Sequence, residues 1–253
     1  SVGARGRVCT MGTFICSTLR DALRARNVHV DGAVLFGGNV RGGKDYDDDA
    51  FFSLETLESE IRSDESVGIV QMPGWLVAAG IEATHAGPPI PGWCQYCDGV
   101  KEVDGKLVEF AGEPLDKDRM YSVATKVSDL ANGQSPPFTE YFAERPLPPK
   151  GAYFNVHASL MAFFARNLWF RLWNKVKGPA LFELLDADDN GVVSVDEIHE
   201  ALNAELGLSV DPNEKSLATF IHDFADSSRD GRLTIDDLTR FEAEQRFDVA
   251  RTR

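Results

Sequence analysis

The 253-residue sequence is poor in cysteine and in basic side chains, and each shortage excludes a class of protein. Four cysteines, Cys9, Cys16, Cys94 and Cys97, are too few for a small disulfide-framework protein, and the spacing of the last two allows either a local disulfide or two reduced thiols. Lysine and arginine total 26 against 40 aspartates and glutamates, a formal net charge of −14. An acidic surface repels phosphate backbones, so we expect no nucleic-acid partner, and cations or basic peptides instead.

Long apolar runs are also missing. The most aromatic stretch, AYFNVHASLMAFFARNLWFRLWNKVKG, is interrupted by Arg166, Asn167 and Arg171. A membrane-spanning helix needs about 18 or more residues with few charges, so we expect no transmembrane segment. The chain begins at Ser1 and has no signal-peptide pattern, which favours a piece of a longer chain.

Periodicity predicts two domains, a mixed α/β domain followed by an all-α domain. Over residues 1–145, amphipathic helical stretches such as 11–26 alternate with short apolar runs such as GAVLFGG and VGIVQM, which are typical of buried strands. The run PLPPK then indicates a joint, so 146–177 is predicted to be a proline-rich joint with an aromatic amphipathic helix. Residues 178–253 are predicted to be helical, and they hold 18 acidic against 7 basic side chains.

The residues DADDNGVVSVDE, 186–197, have the spacing of a calcium-binding loop. Such a loop offers oxygen ligands at positions 1, 3, 5, 7, 9 and 12, with glycine at position 6 for a sharp turn. Gly191 occupies position 6. The predicted ligands are Asp186, Asp188, Asn190, the carbonyl of Val192, Ser194 and Glu197. The alternative, an acidic surface turn, does not require this order of residues.

A second loop, DSSRDGRLTIDD at 226–237, repeats the pattern with two weaker positions. Its predicted ligands are Asp226, Ser228, Asp230, the carbonyl of Arg232, Thr234 and Asp237. Position 3 is a neutral hydroxyl, and the aspartate at position 12 is one methylene shorter than glutamate, so bidentate coordination is harder. We therefore expect Ca²⁺ in both loops, with Mg²⁺ tolerated or preferred in the second.

Apolar faces on either side of the two loops predict four helices. The aliphatic residues at position 8, Val193 and Leu233, are expected to pair across a short two-stranded bridge. With the loops, this pattern over residues 176–247 resembles an EF-hand pair.

The aromatic helix predicted over 152–177 bears on how that pair works. It carries Trp169 and Trp173 together with basic residues, as do the amphipathic peptides that calcium sensors bind. One hypothesis places this helix in the groove of its own EF-hand pair. The alternatives are a clamp to the first domain and an ordinary core helix at the domain interface.

The glycine-rich stretch VLFGGNVRGGKDYDDD raises the possibility of a phosphate-binding loop, because Gly38 and then Gly43-Lys44 have the spacing of that motif. The motif needs a hydroxyl after the lysine and a helix that begins there. Here Asp45 follows the lysine and further carboxylates come next, which would repel a triphosphate. The sequence therefore disfavours a triphosphate site.

Five segments resemble, in order and spacing, the C-terminal domain of the 5′-nucleotidases. They are GRVCTMGTFICSTLRDAL, VLFGGNVRGG, SLETLESEI, VGIVQMPGWL and DKDRMYSVATKVSDLANG, within residues 1–140. The resemblance implies a domain that binds a nucleotide or another phosphoester and presents it to a separate N-terminal metallophosphoesterase domain. A dinuclear metal site is then expected only in that missing domain, so this chain alone should have no catalytic residues and no activity.

The resemblance carries over eight substrate-binding positions, Arg5, Arg7, Gly37, Gly38, Asn39, Arg41, Asn132 and Gly133. An arginine beside a glycine turn suits phosphate or ribose oxygens, because the guanidinium donates two parallel hydrogen bonds. The chain departs from the family at Phe36, at Ser135, and at Ser63 and Asp129, where the family has the aromatic pair that sandwiches the base. Other aromatic residues, Phe51, Phe52, Trp93 or Phe138, are the candidates to replace them.

Together these patterns predict the C-terminal part of a calcium-binding 5′-nucleotidase-like phosphoester hydrolase, in which the EF-hand pair regulates the α/β domain. The alternative is a non-enzymatic calcium-responsive scaffold or partner-binding module. Ser63 and Asp129 favour the scaffold, whereas Arg5 and Arg41 favour the hydrolase.

Overall fold

The computed structural model describes residues 3–41, 54–176, 179–206 and 215–251. The chain divides into two compact units, Ser1–Leu160 and Met161–Arg253. The division at 145 and 177 drawn from the sequence stays a prediction. Several residues named above lie outside the described residues, namely Gly43, Lys44, Asp45, Phe51 and Phe52.

The first unit has the mixed α/β fold that the sequence predicts. Its α-helices are α1 (Thr10–Ala25), α2 (Leu54–Glu60), α3 (Gly74–His85) and α4 (Pro136–Phe142). Its strands are β1 (Gly32–Phe36), β2 (Ser66–Pro73), β3 (Cys94–Tyr96), β4 (Lys101–Val103), β5 (Lys106–Phe110), β6 (Glu113–Pro114), β7 (Met120–Thr125) and β8 (Phe154–Asn155). Short 3-10 helices cover Gly3–Arg5, Val127–Ala131 and Lys150–Ala152.

The main sheet positions the loops of the first unit. Among the described residues its strand order is β3-β1-β7-β2-β8, and a smaller sheet has the order β4-β5-β6. β1 runs parallel to β7, whereas the other pairings in the main sheet are antiparallel. Every residue of β1 is buried, which explains its unbroken apolar sequence. Because β1 and β7 are parallel, their carboxyl ends lie on the same side of the sheet. The loops that follow Phe36 and Thr125 therefore begin next to each other.

α1 packs against β1 and β3 through the apolar face that its periodicity predicts. Ile15, Leu19 and Leu23 on this face are fully buried. The helix begins after Cys9, whose Sγ accepts a hydrogen bond from a backbone N–H of the first turn at 3.3 Å. The buried side chain of Gln95 accepts a hydrogen bond from the Cys9 N–H at 2.9 Å, which ties the start of α1 to β3.

The chain returns to the sheet after the proline-rich run. β8 pairs with the beginning of β2, and the Asn155 side chain then accepts a hydrogen bond from the Ala158 N–H at 2.7 Å. This cap opens α5, which spans Val156–Lys175. The helix therefore begins four residues later than the predicted start at 152, and the predicted end at 177 lies outside the described residues.

The second unit is helical. From Met161 it contains the rest of α5, followed by α6 (Pro179–Leu185), α7 (Val195–Leu206), α8 (Ser216–Ala225) and α9 (Ile235–Arg251). Apolar residues of all five helices form one core, including Trp169, Leu181, Ile198, Ile221 and Leu238. In the part of the chain that is described, no helix has both the length and the apolarity needed to cross a bilayer.

Candidate functional site

The carboxylates of the first acidic loop, between α6 and α7, converge on one point. One oxygen each of Asp186, Asp188 and Glu197 lie within 4.8 Å of one another. Within the described ranges, no other group of three histidine, cysteine or carboxylate side chains converges this closely. Carboxylate oxygens gathered in this way are the ligands of a hard divalent cation, so the donor set fits calcium.

Backbone amides of this loop hold its first carboxylate in place. Asp186 Oδ1 accepts a hydrogen bond from the Asn190 N–H at 3.0 Å, and Oδ2 accepts one from the Gly191 N–H at 2.9 Å. Gly191 has φ of 82°, a left-handed conformation that side chains with a Cβ disfavour. The sharp turn predicted at position 6 is therefore present.

Glu197 is held at the other end of the same loop. Its Oε1 accepts a hydrogen bond from the Ala187 N–H at 2.8 Å, and its Oε2 accepts one from the Ser194 N–H at 2.7 Å. Burial acts to raise the pKa of Glu197, but these hydrogen bonds outweigh it and lower the pKa below the ordinary value. The loop therefore favours the charged carboxylate, which is the form that binds a metal ion.

The second acidic loop, between α8 and α9, has the same hydrogen-bond plan. Asp226 accepts hydrogen bonds from the Arg229 N–H at 2.7 Å and the Gly231 N–H at 2.8 Å. Asp237 accepts them from the Ser228 N–H at 2.9 Å and the Thr234 N–H at 3.0 Å. Both carboxylates are buried, and although burial acts to raise their pKa, the hydrogen bonds lower the pKa of each below its ordinary value.

A short bridge joins the two loops. Val193 and Leu233 pair antiparallel, and the Val193 N–H donates to the Leu233 carbonyl oxygen at 2.8 Å. The bridge predicted from position 8 of each loop is confirmed. It makes the two loops neighbours through a single antiparallel bridge, which is the arrangement of a paired helix-loop-helix module.

Residues 179–241 match the family model described as an EF-hand domain pair. This segment is an EF-hand pair. The match agrees with the resemblance found over residues 176–247 and covers α6, α7, α8 and the first part of α9. An EF-hand pair is a calcium-binding domain, so the coarse prediction of calcium binding is supported on both sequence and geometry.

The comparisons with solved structures are weaker. The chain is similar to the 5′-nucleotidase precursor from Thermus thermophilus, with a TM-score of 0.44 and 17% identity over 64% of this chain and 33% of that one. It is also similar to the NAD nucleotidase of Haemophilus influenzae, with a TM-score of 0.38 and 17% identity over 61% of this chain and 28% of that one. The chain thus spans about a third or less of each structure, and likenesses at these TM-scores carry no information on ligand or activity. None of the curated proteins matches the sequence at a significant level.

The aromatic face of α5 packs on the EF-hand pair within the second unit. Trp169 and Trp173 lie edge-on to Phe241 of α9, with ring centroids 6.0 and 5.1 Å away. Lys175 at the end of α5 lies 2.6 Å from the Glu205 carboxylate at the end of α7. The indole Nε1 of Trp169 is buried and has no hydrogen-bond partner among the described residues, so packing alone holds this side chain.

In the first unit, the backbone amides of the glycine stretch are already used. The Gly37 and Gly38 N–H groups donate to the carbonyl oxygens of Trp93 at 2.8 Å and Pro91 at 2.7 Å. The Arg41 N–H donates to the Glu60 carbonyl oxygen at 3.0 Å. These amides therefore do not form a cradle for a phosphate group, and recognition of an anion here would depend on side chains.

The predicted arginines lie on the surface. Arg5, Arg7 and Arg41 are exposed. A Cβ at Gly37 would collide with the Ala4 carbonyl oxygen, so only glycine lets the segment that carries Arg5 lie against this loop. The structure thus places the backbone of Ala4 and Arg5 against Gly37.

Asn39 and Asn132 are joined through Asp129, one of the positions at which the chain departs from the 5′-nucleotidase pattern. Asn39 Nδ2 donates to Asp129 Oδ2 at 2.5 Å, and Asn132 Nδ2 donates to Asp129 Oδ1 at 3.2 Å. Lys126 Nζ donates to Asn39 Oδ1 at 3.1 Å and lies 2.9 Å from the Glu65 carboxylate. Burial raises the pKa of Asp129 above its ordinary value, although the amide donors act against this.

The sequence analysis did not predict a role for Lys126, Glu65 or Gln95 in this region, because no local pattern distinguishes them. Lys126 and Glu65 join the network around Asn39 from distant segments. Gln95 donates to the carbonyl oxygens of Ala4 and Arg7 at 2.8 Å and so fixes the arginine-bearing segment. Of the aromatic residues suggested for base stacking, Phe138 is buried against Gly80, whereas Trp93 is half-buried and stacks on His85.

Proposed function

We propose that the second unit binds two calcium ions, one in each loop. The first ion takes the side chains of Asp186, Asp188, Asn190, Ser194 and Glu197 and the carbonyl of Val192. The second takes the side chains of Asp226, Ser228, Asp230, Thr234 and Asp237 and the carbonyl of Arg232, and Mg²⁺ competes there. The observation that carries the proposal is the convergence of one oxygen each of Asp186, Asp188 and Glu197 within 4.8 Å, in a loop whose amides favour the charged form of Glu197.

Calorimetric titration of CaCl₂ into chelator-treated protein tests this assignment. Two calcium ions per chain are expected, with the second binding more weakly and weakening further in excess Mg²⁺. A chain that takes up no calcium, or takes it up with all four carboxylates Asp186, Glu197, Asp226 and Asp237 changed to amides, would contradict the assignment. Circular dichroism of the quadruple variant checks that it is folded.

α5 is the partner that we propose for the apolar surface of the EF-hand pair. Its tryptophans contact Phe241, and its terminal Lys175 pairs with Glu205. A surface already covered by a helix of the same chain does not have to recruit an external peptide. In this proposal calcium acts by changing or stabilising the packing of α5, in accordance with the hypothesis of a regulatory pair.

A second candidate function belongs to the first unit, the binding of a nucleotide or another phosphoester. It is supported by the contact of the Arg5 segment with Gly37 and by the shared carboxylate that joins Asn39 to Asn132. The proposed ligand-binding residues are those named from the sequence, Arg5, Arg7, Gly37, Gly38, Asn39, Arg41, Asn132 and Gly133. Hydrolysis would require a dinuclear metal domain outside this chain, so the proposed role here is binding.

Titration of adenosine 5′-monophosphate and of adenosine, each with and without calcium, tests the second candidate. Binding of the monophosphate that is lost in Arg41→Ala and kept in Arg62→Ala would support it, since Arg62 is an exposed arginine paired with Asp64. No binding of either compound would favour the non-enzymatic scaffold. A calcium-dependent affinity would support regulation of the first unit by the second.

A further inference from the structure

Aromatic side chains flank the second loop on both sides. Phe224 lies two residues before Asp226 at the end of α8, and Phe241 lies four residues after Asp237 on α9. The two rings meet edge to face, with centroids 6.0 Å apart. The helix that enters the loop and the helix that leaves it are therefore in contact through these two side chains.

α5 completes this aromatic cluster. Phe170 lies 6.2 Å from Phe224 and 5.6 Å from Phe241, measured between ring centroids. Trp169 and Trp173 also contact Phe241, at 6.0 and 5.1 Å. Phe241 thus touches four other rings, three of them on α5, and only 5% of it is exposed.

Phe241 lies one helical turn after Asp237, a proposed ligand of the second loop. Residues i and i+4 lie on the same face of an α-helix, one turn apart, and Asp237 and Phe241 have this spacing. Asp237 is 2% exposed, so both side chains point into the packed unit. A packed interior does not deform continuously, so a shift of the Asp237 carboxylate towards a cation must be passed to the ring or resisted by it.

We propose that Phe241 couples cation binding in the second loop to the packing of α5, so that the aromatic residues of α5 set the calcium affinity of this loop. The inference rests on the proposed calcium site and names its regulation. With α5 packed, the carboxylates of Asp226 and Asp237 already accept hydrogen bonds from the loop amides, which hold them in the positions proposed for cation ligands. The contact between α5 and Phe241 therefore favours the bound cation, and its loss weakens binding.

The test uses the full chain with Phe241→Leu, and with Phe182→Leu on α6 as the matched control in the first EF-hand. Calcium titration should show the second-site Kd of Phe241→Leu raised about tenfold, within the roughly 5- to 150-fold range of coupled sites, and that of the control changed less than twofold. Calcium should also change the tryptophan emission of the wild-type chain. That change should persist in Trp75→Phe and shrink in Phe241→Leu.

Trp173→Phe probes the same contact from α5 and decides the matter if circular dichroism shows that Phe241→Leu does not fold. It should weaken the second site in the same direction. Two calcium sites in the wild type, with the second-site affinity unchanged in both variants, would overturn the coupling and leave the calcium assignment intact. A single calcium site, in the first loop only, would overturn the second ligand set and the coupling together.

Discussion

Glu197 and Asp237 occupy the same position in the two loops, and the same kinds of donor hold them although their side chains differ by one methylene. Each accepts a backbone N–H from the beginning of its loop and another from position 9. The shorter side chain of Asp237 has to reach these donors from closer to the backbone of α9. The difference in length is therefore expected to appear in cation selectivity more than in the fold of the loop.

Glu197→Gln should remove calcium from the first loop. The amide offers one carbonyl oxygen in place of two charged oxygens, so bidentate coordination is lost. The first-site Kd should rise by about 100-fold or more, which corresponds to about 2.8 kcal/mol. Calorimetry checks this, with Glu200→Gln, an exposed position on the same helix, as the control that should bind normally. Equal affinities in the two variants would contradict the ligand assignment.

Asp237→Glu should tighten calcium binding in the second loop and reduce competition by Mg²⁺. The added methylene restores the reach that Glu197 has in the first loop, and Mg²⁺ is too small to gain from a second carboxylate oxygen. We expect about a tenfold lower calcium Kd in excess Mg²⁺, equal to about 1.4 kcal/mol. Asp236→Glu, exposed and adjacent, should have no such effect. An affinity that falls in Asp237→Glu would mean that the loop is built around the shorter side chain.

Among the elements, α5 combines basic residues, which are typical of a surface, with aromatic residues, which are typical of a core. Its basic residues and its aromatic residues alternate around the helix, yet Trp169 is fully buried and Arg171 is exposed. The buried face contributes Ala165, Trp169, Leu172 and Trp173 to the core of the EF-hand pair. α5 therefore contributes side chains to the core of the second unit and covers the apolar surface of the EF-hand pair.

Trp169→Ala should destabilise the second unit strongly. The indole is fully buried without a hydrogen bond to lose, so the cost comes from lost apolar burial and the cavity left behind, about 3–5 kcal/mol. Chemical unfolding followed by circular dichroism measures it. Trp75→Ala, at a tryptophan that is 46% exposed, should cost far less. If both substitutions have the same small effect, α5 is not a core element of this unit.

The two parts of the chain differ in how far sequence alone could predict them. In the EF-hand pair the ligands and the glycine of each loop lie within 12 consecutive residues, so Gly191 and Glu197 could be predicted locally. The Val193–Leu233 bridge could be predicted because the second loop repeats the first. In the first unit Asn39 meets Asp129 and Lys126 across separations of 90 and 87 residues, and no periodicity marks such a pairing. β8 has only two residues, Phe154–Asn155, which is too short for a pattern of alternation.

For the whole molecule, calcium should stabilise one of the two compact units selectively. A ligand present at 100 times its Kd adds about 2.7 kcal/mol to the unfolding free energy of the unit that binds it. Differential scanning calorimetry with calcium and with chelator should show the transition of Met161–Arg253 moving to higher temperature and that of Ser1–Leu160 unchanged. A chain with both Glu197→Gln and Asp237→Asn should show no shift. A single transition that moves with calcium would show that the units unfold as one.

Cysteine thiols and tryptophan indoles give the molecule two internal probes of local unfolding. Cys16, Cys94 and Cys97 are buried free thiols in the first unit, Cys9 is half-buried, and burial raises the pKa of Cys94 to about 12. A thiol must be exposed and ionised before a disulfide reagent can attack it, so labelling waits for the surrounding structure to open. The rate at which a chromogenic disulfide is consumed therefore times the opening of the first unit, while the emission of Trp169 and Trp173 follows the second unit once Trp75 and Trp93 are replaced by phenylalanine.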